Sequence, residues 1–145
     1  MKKKTSISLF LIICVLVSMV TTVNAVAERA SEYLAAYSIS VYSTGNDHMS
    51  VDVIVHGVDD MNKIGVQTLT IEEKNSSSGS WHYYDTLYGY DNPDEFYDYG
   101  VHLFANTFYF NGTPGHYYRV IATVYAGNSQ GSDTGKITSS ASLCK

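Results

Sequence analysis

Apolar and polar residues alternate along most of the chain, with the period of two that an extended strand produces. The alternation is clearest over residues 49–56, and it recurs over residues 117–126. Because successive side chains of a strand point to opposite faces, each segment predicts a strand with one buried face. The predicted inward residues are Met49, Val51, Val53 and Val55 in the first segment, and Tyr118, Val120, Ala122 and Val124 in the second.

Other segments carry a weaker form of the same pattern and are predicted to be strands: residues 33–42, 64–73, 81–88, 101–110 and 136–143. The last of these is predicted to close the sandwich, with Ile137, Ala141 and Leu143 on one face. Residues 57–63 and 89–98 lack the alternation and are predicted to be connections, the second of them long and irregular.

About seven strands with no helical stripe predict an all-β fold, namely a single immunoglobulin-like or fibronectin III-like antiparallel sandwich. Residues 115–126 are expected to form its central strand. Tyr118 follows a Gly- and Pro-containing turn at the strand entrance, which is the position of a tyrosine corner, where the phenol hydrogen-bonds back to the turn. Trp81 opens the return arm of a predicted hairpin. Both aromatic residues are therefore interpreted as structural.

Residues 1–27 are predicted to be a cleaved signal peptide that precedes the domain at residues 28–145. Three lysines come before an uncharged apolar run, and small residues suited to cleavage end at Ala25 and Ala27. The run is too short for a good transmembrane span. We therefore expect a secreted protein, in the medium or at the cell envelope, with no membrane contact once the signal is removed.

Removing the signal makes the chain strongly acidic, because six basic residues remain against 14 acidic ones, a formal charge of −8. Nucleic acid is disfavoured as a partner, since binding its phosphates needs a basic patch. Cys144 is the only cysteine outside the signal. It is expected to be a free thiol or, as the alternative, the site of an intermolecular disulfide.

The acidic, tyrosine-rich segment at residues 88–99 is the main candidate for a site. Its carboxylates could bind Ca²⁺, which prefers oxygen ligands, although the spacing does not match a known calcium loop. The calcium candidates are Asp91, Asp94, Glu95 and Asp98. The alternative is a solvated acidic loop that keeps the protein soluble. An ordered loop against a sheet edge is expected, with its aromatic side chains partly buried and its carboxylates outward.

The same segment could offer aromatic rings to a sugar or to a protein, because tyrosine combines a rigid face with a hydroxyl group. The binding candidates are Tyr88, Tyr90, Tyr97 and Tyr99. The alternative is that several of these rings form a small structural cluster beneath the loop.

No sequence pattern indicates catalysis. The five histidines are scattered without zinc-ligand spacing, and no serine lies in a Gly-x-Ser-x-Gly motif. The chain is therefore predicted to be a binding module for a glycan or protein of the cell surface, without a cofactor. The alternative is a small secreted hydrolase or toxin-like effector on the same scaffold.

Three short stretches resemble a family of small secreted proteins of Gram-positive bacteria that is known only as a domain of unknown function. They are VDDMNKIG at residues 58–65, the hairpin at Trp81, and GHYYRV at residues 115–120 followed by GSD at residues 131–133. The resemblance implies a secreted sandwich over nearly the whole mature chain. It implies no activity and assigns no functional residue.

Overall fold

The computed structural model describes residues 31–145, so the predicted signal peptide lies outside the described residues. Most of this part of the chain is β-structure, as the alternation predicts, and none of its helices is long and apolar enough to span a membrane. A single helical turn, α1, covers Pro93–Phe96. The strands are β1 (Leu34–Gly45), β2 (His48–Met61), β3 (Lys63–Lys74), β4 (His82–Tyr88), β5 (Tyr97–Asp98), β6 (Val101–Asn111), β7 (Tyr117–Gly127), β8 (Ser132–Thr138) and β9 (Ser142–Leu143).

The strands form two antiparallel sheets that pack face to face as a sandwich. The first sheet has the order β1-β2-β6. The second has the order β4-β3-β7-β8, with β5 also paired to β3 and β9 to β7. The predicted central strand is thus internal to the second sheet. The strands β4 and β6 each end their own sheet, which leaves one side of the sandwich with two unpaired edges.

The core lies between the sheets and includes the predicted inward residues of β2 and β7, all of them buried, together with Ile64, Val66, Leu69 and Ile71 of β3. Phe104 and Phe108 of β6 complete the inner face of the first sheet. Burying an aliphatic or aromatic side chain of this size contributes roughly 1.5–3 kcal/mol, whereas an exposed ion pair contributes about 0–1 kcal/mol. Packing between the inner faces is therefore what holds the two sheets together.

Residues 57–63 were predicted to be a connection, and this prediction is wrong. The strand β2 continues to Met61, and β3 begins at Lys63. The pairing of β2 with β6 shifts register between His56 and Met61. This irregularity breaks the side-chain alternation while the backbone stays extended, which is why the sequence pattern is lost there.

The last predicted strand, at residues 136–143, also differs from the structure. It divides into β8 and β9, and the three residues predicted to share a face do not, because Ile137 packs against the core whereas Ala141 and Leu143 are exposed. The cause is Ser139, which is buried at the break: its hydroxyl accepts the Val120 N–H at 2.9 Å, and its own N–H donates to the Val120 carbonyl at 2.9 Å. The interruption shifts the alternation, so that Cys144 becomes the inward residue.

Tyr118 forms the predicted corner. Its side chain is 0% exposed, and its hydroxyl accepts the Thr113 N–H at 2.8 Å and donates to Glu73 at 3.0 Å. Burial raises the pKa of the Tyr118 phenol, although the bond from Thr113 lowers it. The phenol thus keeps its proton and joins the β6–β7 turn to β3.

Trp81 lies just before β4, where its ring stacks with two cations of the second sheet. The Arg119 guanidinium is 4.4 Å from the ring centroid, and the Lys74 ammonium is 4.8 Å away. Arg119 also pairs with Glu72 at 2.6 Å. These contacts place Trp81 in a structural cluster on the outer face of that sheet.

Candidate binding cleft

A cleft opens on the side of the sandwich where β4 and β6 are unpaired. Two hydrogen bonds bridge the two sides of the cleft, one at each of its ends. The Tyr84 hydroxyl donates to the Asn111 carbonyl at 2.7 Å, and the Asn106 amide donates to the Glu95 carbonyl at 2.8 Å. The cleft has a volume of about 270 Å³. It is lined by Thr86, Leu87, Tyr88, Asp91, Asn92, Glu95, Phe96, Phe108 and Tyr109.

Local structure at α1 separates the apolar floor of the cleft from its polar rim. Proline favours the first turn of a helix, and the Asn92 carbonyl accepts the N–H groups of Glu95 and Phe96. The turn buries Phe96, whose ring centroid lies 4.5 Å from that of Phe108, and leaves Asn92 and Glu95 exposed. The hollow therefore combines a small apolar floor with a larger polar rim, and convergent polar groups of this kind are what orient a small ligand in its site.

Gly65 allows this segment to lie directly on the second sheet. Its φ is +150°, and a Cβ atom there would collide with the Phe96 carbonyl and lie 2.9 Å from the Tyr97 Cα. The absence of a side chain lets β5 pair with β3 at this position. The segment that was predicted to be irregular thus contains a helical turn and a short strand, and it is anchored to a sheet edge.

Tyr88 and Tyr90 form an exposed aromatic pair beside the cleft. Their ring centroids are 5.0 Å apart with an interplanar angle of 31°, and the residues are 39% and 73% exposed. Tyr109, on β6, is 67% exposed and also lines the cleft. None of the three hydroxyl groups makes a hydrogen bond with another residue of the described chain. The hydroxyl groups and the exposed parts of the rings are thus available to a ligand.

The other two predicted binding tyrosines are not part of this arrangement. Tyr97 is only 8% exposed, and the Lys63 ammonium lies 3.6 Å from its ring centroid. Burial raises the pKa of its phenol. The stacking interpretation of Tyr97 needs correction, because a covered ring cannot receive a ligand. Tyr99 is exposed but does not line the cleft.

The predicted calcium ligands are all exposed, and they divide between two places. Asp91 and Glu95 line the cleft, whereas Asp94 and Asp98 do not. Within residues 31–145, no three His, Cys, Asp or Glu side chains come together in a way that could hold a metal ion. Calcium binding stays a prediction that unfolding measurements can test.

The sequence did not identify a second depression, which lies on the outer face of the first sheet. It has a volume of about 280 Å³ and is lined by Asp52, Val53, Ile54, Ala105, Asn106 and Thr107. The Asp52 Oδ1 atom accepts the hydroxyl groups of Thr107 at 2.8 Å and Tyr42 at 3.3 Å. These two donors fix the orientation of the carboxylate.

Ser50 lies between Tyr42 and Tyr109 in the strand register, at the end of this face. The residue is 1% exposed, and its hydroxyl makes no hydrogen bond within the described chain. Partial desolvation and the Asp52 charge raise the pKa of the Tyr42 phenol, while the nearby Ser50 hydroxyl lowers it.

Cys144 is buried at the tyrosine corner. A Cβ atom built on Gly112 would lie 3.0 Å from the cysteine Sγ and 2.9 Å from the Tyr118 ring, so all three groups share one tightly packed region. Burial raises the pKa of the thiol, with Asp47 adding to the rise. This environment disfavours the thiolate and thus the intermolecular disulfide, which would require β9 to open first.

Comparisons with known proteins identify no relative from sequence: no family model and no curated protein matches the chain. Among solved structures, the chain is similar to the crystal structure of a family 76 glycoside hydrolase from a bovine Bacteroides thetaiotaomicron strain. That likeness has a TM-score of 0.36 and 15% sequence identity, and it covers 79% of this chain but 21% of the hydrolase chain. A similarity of this size carries no argument about function.

Proposed function

We propose that this protein is a secreted, non-catalytic module of immunoglobulin-like or fibronectin-like type that binds a cell-surface glycan in the cleft between β4 and β6. The observation that carries the proposal is the aromatic pair of Tyr88 and Tyr90 beside a cleft with an acidic and amide rim. The order of the strands in the two sheets and the corner at Tyr118 support the type of module.

The chemistry of the cleft matches that of a sugar. A sugar ring has an apolar face of C–H groups and a rim of hydroxyl groups. Tyr90 offers an open ring face to the first, and the Asp91 and Glu95 carboxylates are acceptors for the second. The three exposed tyrosines also retain unused hydroxyl groups, which adds donors at the edges of the same surface.

The glycan fits better than a large protein partner on grounds of shape. A stable protein interface requires roughly 800 Å² on each side, with a well-packed centre of aromatic residues. Here the apolar floor is narrow, and Phe96 and Phe108 lie at the bottom of a hollow rather than on a flat surface. Such a hollow is suited to a small group that enters it.

A glycan array probed with the mature protein tests this proposal. We expect binding to one group of related glycans, and Tyr90→Ala should weaken that binding about tenfold or more, because each lost 1.4 kcal/mol is a factor of ten. Tyr99→Ala is the matched control, since it removes an exposed ring of the same segment that neither lines the cleft nor pairs with the cleft-lining Tyr88. Equal losses in both variants, or no glycan bound by the parent protein, would refute the proposal.

A glycoside hydrolase is the second candidate, because two carboxylates, Asp91 and Glu95, line the same cleft. Glycoside hydrolysis uses a pair of carboxyl groups, one as acid and one as base or nucleophile. Incubation of the protein with the bound glycans, followed by analysis of reducing ends, distinguishes the two candidates. Product release that disappears in both Asp91→Asn and Glu95→Gln would establish the hydrolase instead.

A further inference from the structure

We infer that the glycan ligand is an extended chain without acidic groups, which runs from the cleft over Tyr109 onto the depression beside Asp52. The inference rests on the proposed function and adds to it the length and the charge class of the ligand. Three features of the described chain carry it: the continuity of the two hollows, the orientation of Asp52, and the distribution of charge.

The two hollows meet on a single strand. Phe108 and Tyr109 of β6 line the cleft, and residues 105–107 of the same strand line the depression. With a rise of about 3.3 Å per residue, the centres of these two segments are roughly 8 Å apart along the strand. Neighbouring units of one polymer can therefore occupy both hollows, with the exposed Tyr109 ring beside the crossing point.

Asp52 is prepared to accept a hydrogen bond from a ligand. The hydroxyl groups of Tyr42 and Thr107 both donate to its Oδ1 atom. The Oδ2 atom accepts no hydrogen bond from any other residue in the described range. A carboxylate that is held through one oxygen loses little side-chain freedom when the other oxygen accepts a ligand hydroxyl, so the second hollow is preorganised.

The charges around both hollows determine which glycans fit. Asp52, Asp91 and Glu95 line them, and neither contains a lysine or arginine. Three of the basic residues are instead held against aromatic rings elsewhere: Lys63, Lys74 and Arg119. A polymer with carboxylate, sulfate or phosphate groups would therefore be repelled at each unit, whereas neutral or amine-bearing sugars would not.

Calorimetric titration with oligosaccharides of two to six sugars tests the inference. The probes are cello-, xylo- and chito-oligosaccharides, partly deacetylated chito-oligosaccharides, and hyaluronan fragments as the acidic series. In at least one non-acidic series, we expect the hexasaccharide to bind about tenfold tighter than the disaccharide, the gain of one additional good contact. The hyaluronan fragments should not bind.

The Asp52→Asn variant locates the additional contact. It should reduce the affinity for the hexasaccharide to near that for the disaccharide while leaving disaccharide binding unchanged. Asp94→Asn is the matched control, because it removes the same charge from an exposed site outside both hollows. Thermal unfolding of both variants at the parent midpoint would show that the fold is retained.

The outcomes separate this inference from the proposed function. Disaccharide binding that depends on Tyr90 but does not strengthen with length would refute the extended ligand and leave the cleft as a glycan site. Tightest binding of the hyaluronan series would refute the charge class. Absence of binding in every series would refute both the inference and the proposed function.

Discussion

Two tyrosine-rich regions of this protein use the same residue type in opposite ways. At the corner, Tyr118 is fully buried, and its hydroxyl both accepts and donates a hydrogen bond. At the cleft, Tyr88 and Tyr90 are exposed, and their hydroxyl groups have no hydrogen-bond partner in the described chain. The amino-acid composition does not distinguish the tyrosines of the corner from those of the cleft. The difference teaches that a structural tyrosine and a candidate binding tyrosine of this protein are distinguished by whether the ring is buried and the hydroxyl hydrogen-bonded within the fold.

The largest effect should come from filling the space on which the cleft segment rests. Gly65→Ala puts a Cβ atom against the backbone of Phe96 and Tyr97, so β5 must move away from β3. We expect a loss of about 2–3 kcal/mol in unfolding free energy, as for other overpacked sites. Glycan binding should be lost as well, while the tyrosine corner stays intact.

Gly100→Ala is the control for this change, because Gly100 also has a positive φ, +70°, but no atom lies within 4 Å of its added Cβ. Only the conformational strain of about 1–2 kcal/mol should remain. Urea unfolding and binding titrations on both variants measure the contrast. A Gly65 variant as stable as the Gly100 variant and with normal binding would show that the segment does not depend on this close approach.

The next effect concerns the corner itself. Tyr118→Phe removes the hydroxyl, so the Thr113 N–H loses its acceptor, while Glu73 loses one contact and keeps the one with His116. Stranding partly buried polar groups should cost about 1–2 kcal/mol, seen as a lower urea midpoint. Glycan binding at the cleft should not change. An unchanged midpoint would mean that the hydroxyl contributes nothing to stability and that the corner is a matter of ring packing alone.

Two buried serines extend the comparison of satisfied and unsatisfied hydroxyl groups, with a smaller expected change in stability. Ser139 accepts the Val120 N–H beside the corner strand, whereas the hydroxyl of Ser50, near Tyr109, makes no hydrogen bond in the described chain. Ser139→Ala should therefore cost about 1 kcal/mol, and Ser50→Ala should be neutral or stabilising by up to about 1 kcal/mol. Parallel urea unfolding curves test this. Losses of equal size would indicate that Ser50 has a partner, such as a bound water, that offsets its burial.

The smallest expected effect is that of calcium. Thermal unfolding midpoints measured with calcium and with EDTA should be equal, because only two of the four candidate carboxylates line the cleft. A bound ion would instead stabilise the fold by mass action, by about 2.7 kcal/mol at one hundred times its dissociation constant. Such an increase, abolished by Asp91→Asn, would restore the calcium interpretation of this segment.

Much of the fold can be predicted from the sequence, because alternation reports directly on a regular strand with one buried face. The inner faces of β2 and β7 and the corner at Tyr118 follow from this rule. The rule fails where the backbone stays extended but the register shifts, as between Val66 and Thr68 of β3, where Val66 and Leu69 both face inward. A bulge of this kind leaves no residue type that marks it unambiguously.

The candidate site was only partly predictable for a different reason. Tyr88 and Tyr90 stand out because they lie in an acidic segment without alternation. Asp52 and Tyr109 are outward residues of regular strands, and they look like any other polar or aromatic side chain on a solvent-facing surface. Their proximity to the cleft follows from the pairing of β2 with β6 and from the way β6 ends its sheet, which is long-range information.

The contacts that close the two ends of the cleft also bear on how the protein behaves at high concentration. An unpaired strand edge can add a strand from another molecule, which is a common start of aggregation. Along β6, the Tyr84 hydroxyl donates to the Asn111 carbonyl and the Asn106 side-chain amide donates to the Glu95 carbonyl, so contacts across the cleft flank the stretch between these two residues. The free part between these contacts is shorter than a typical strand of about five residues. The same two hydrogen bonds that frame the cleft thus leave an incoming strand only a short open stretch of β6 beside the cleft.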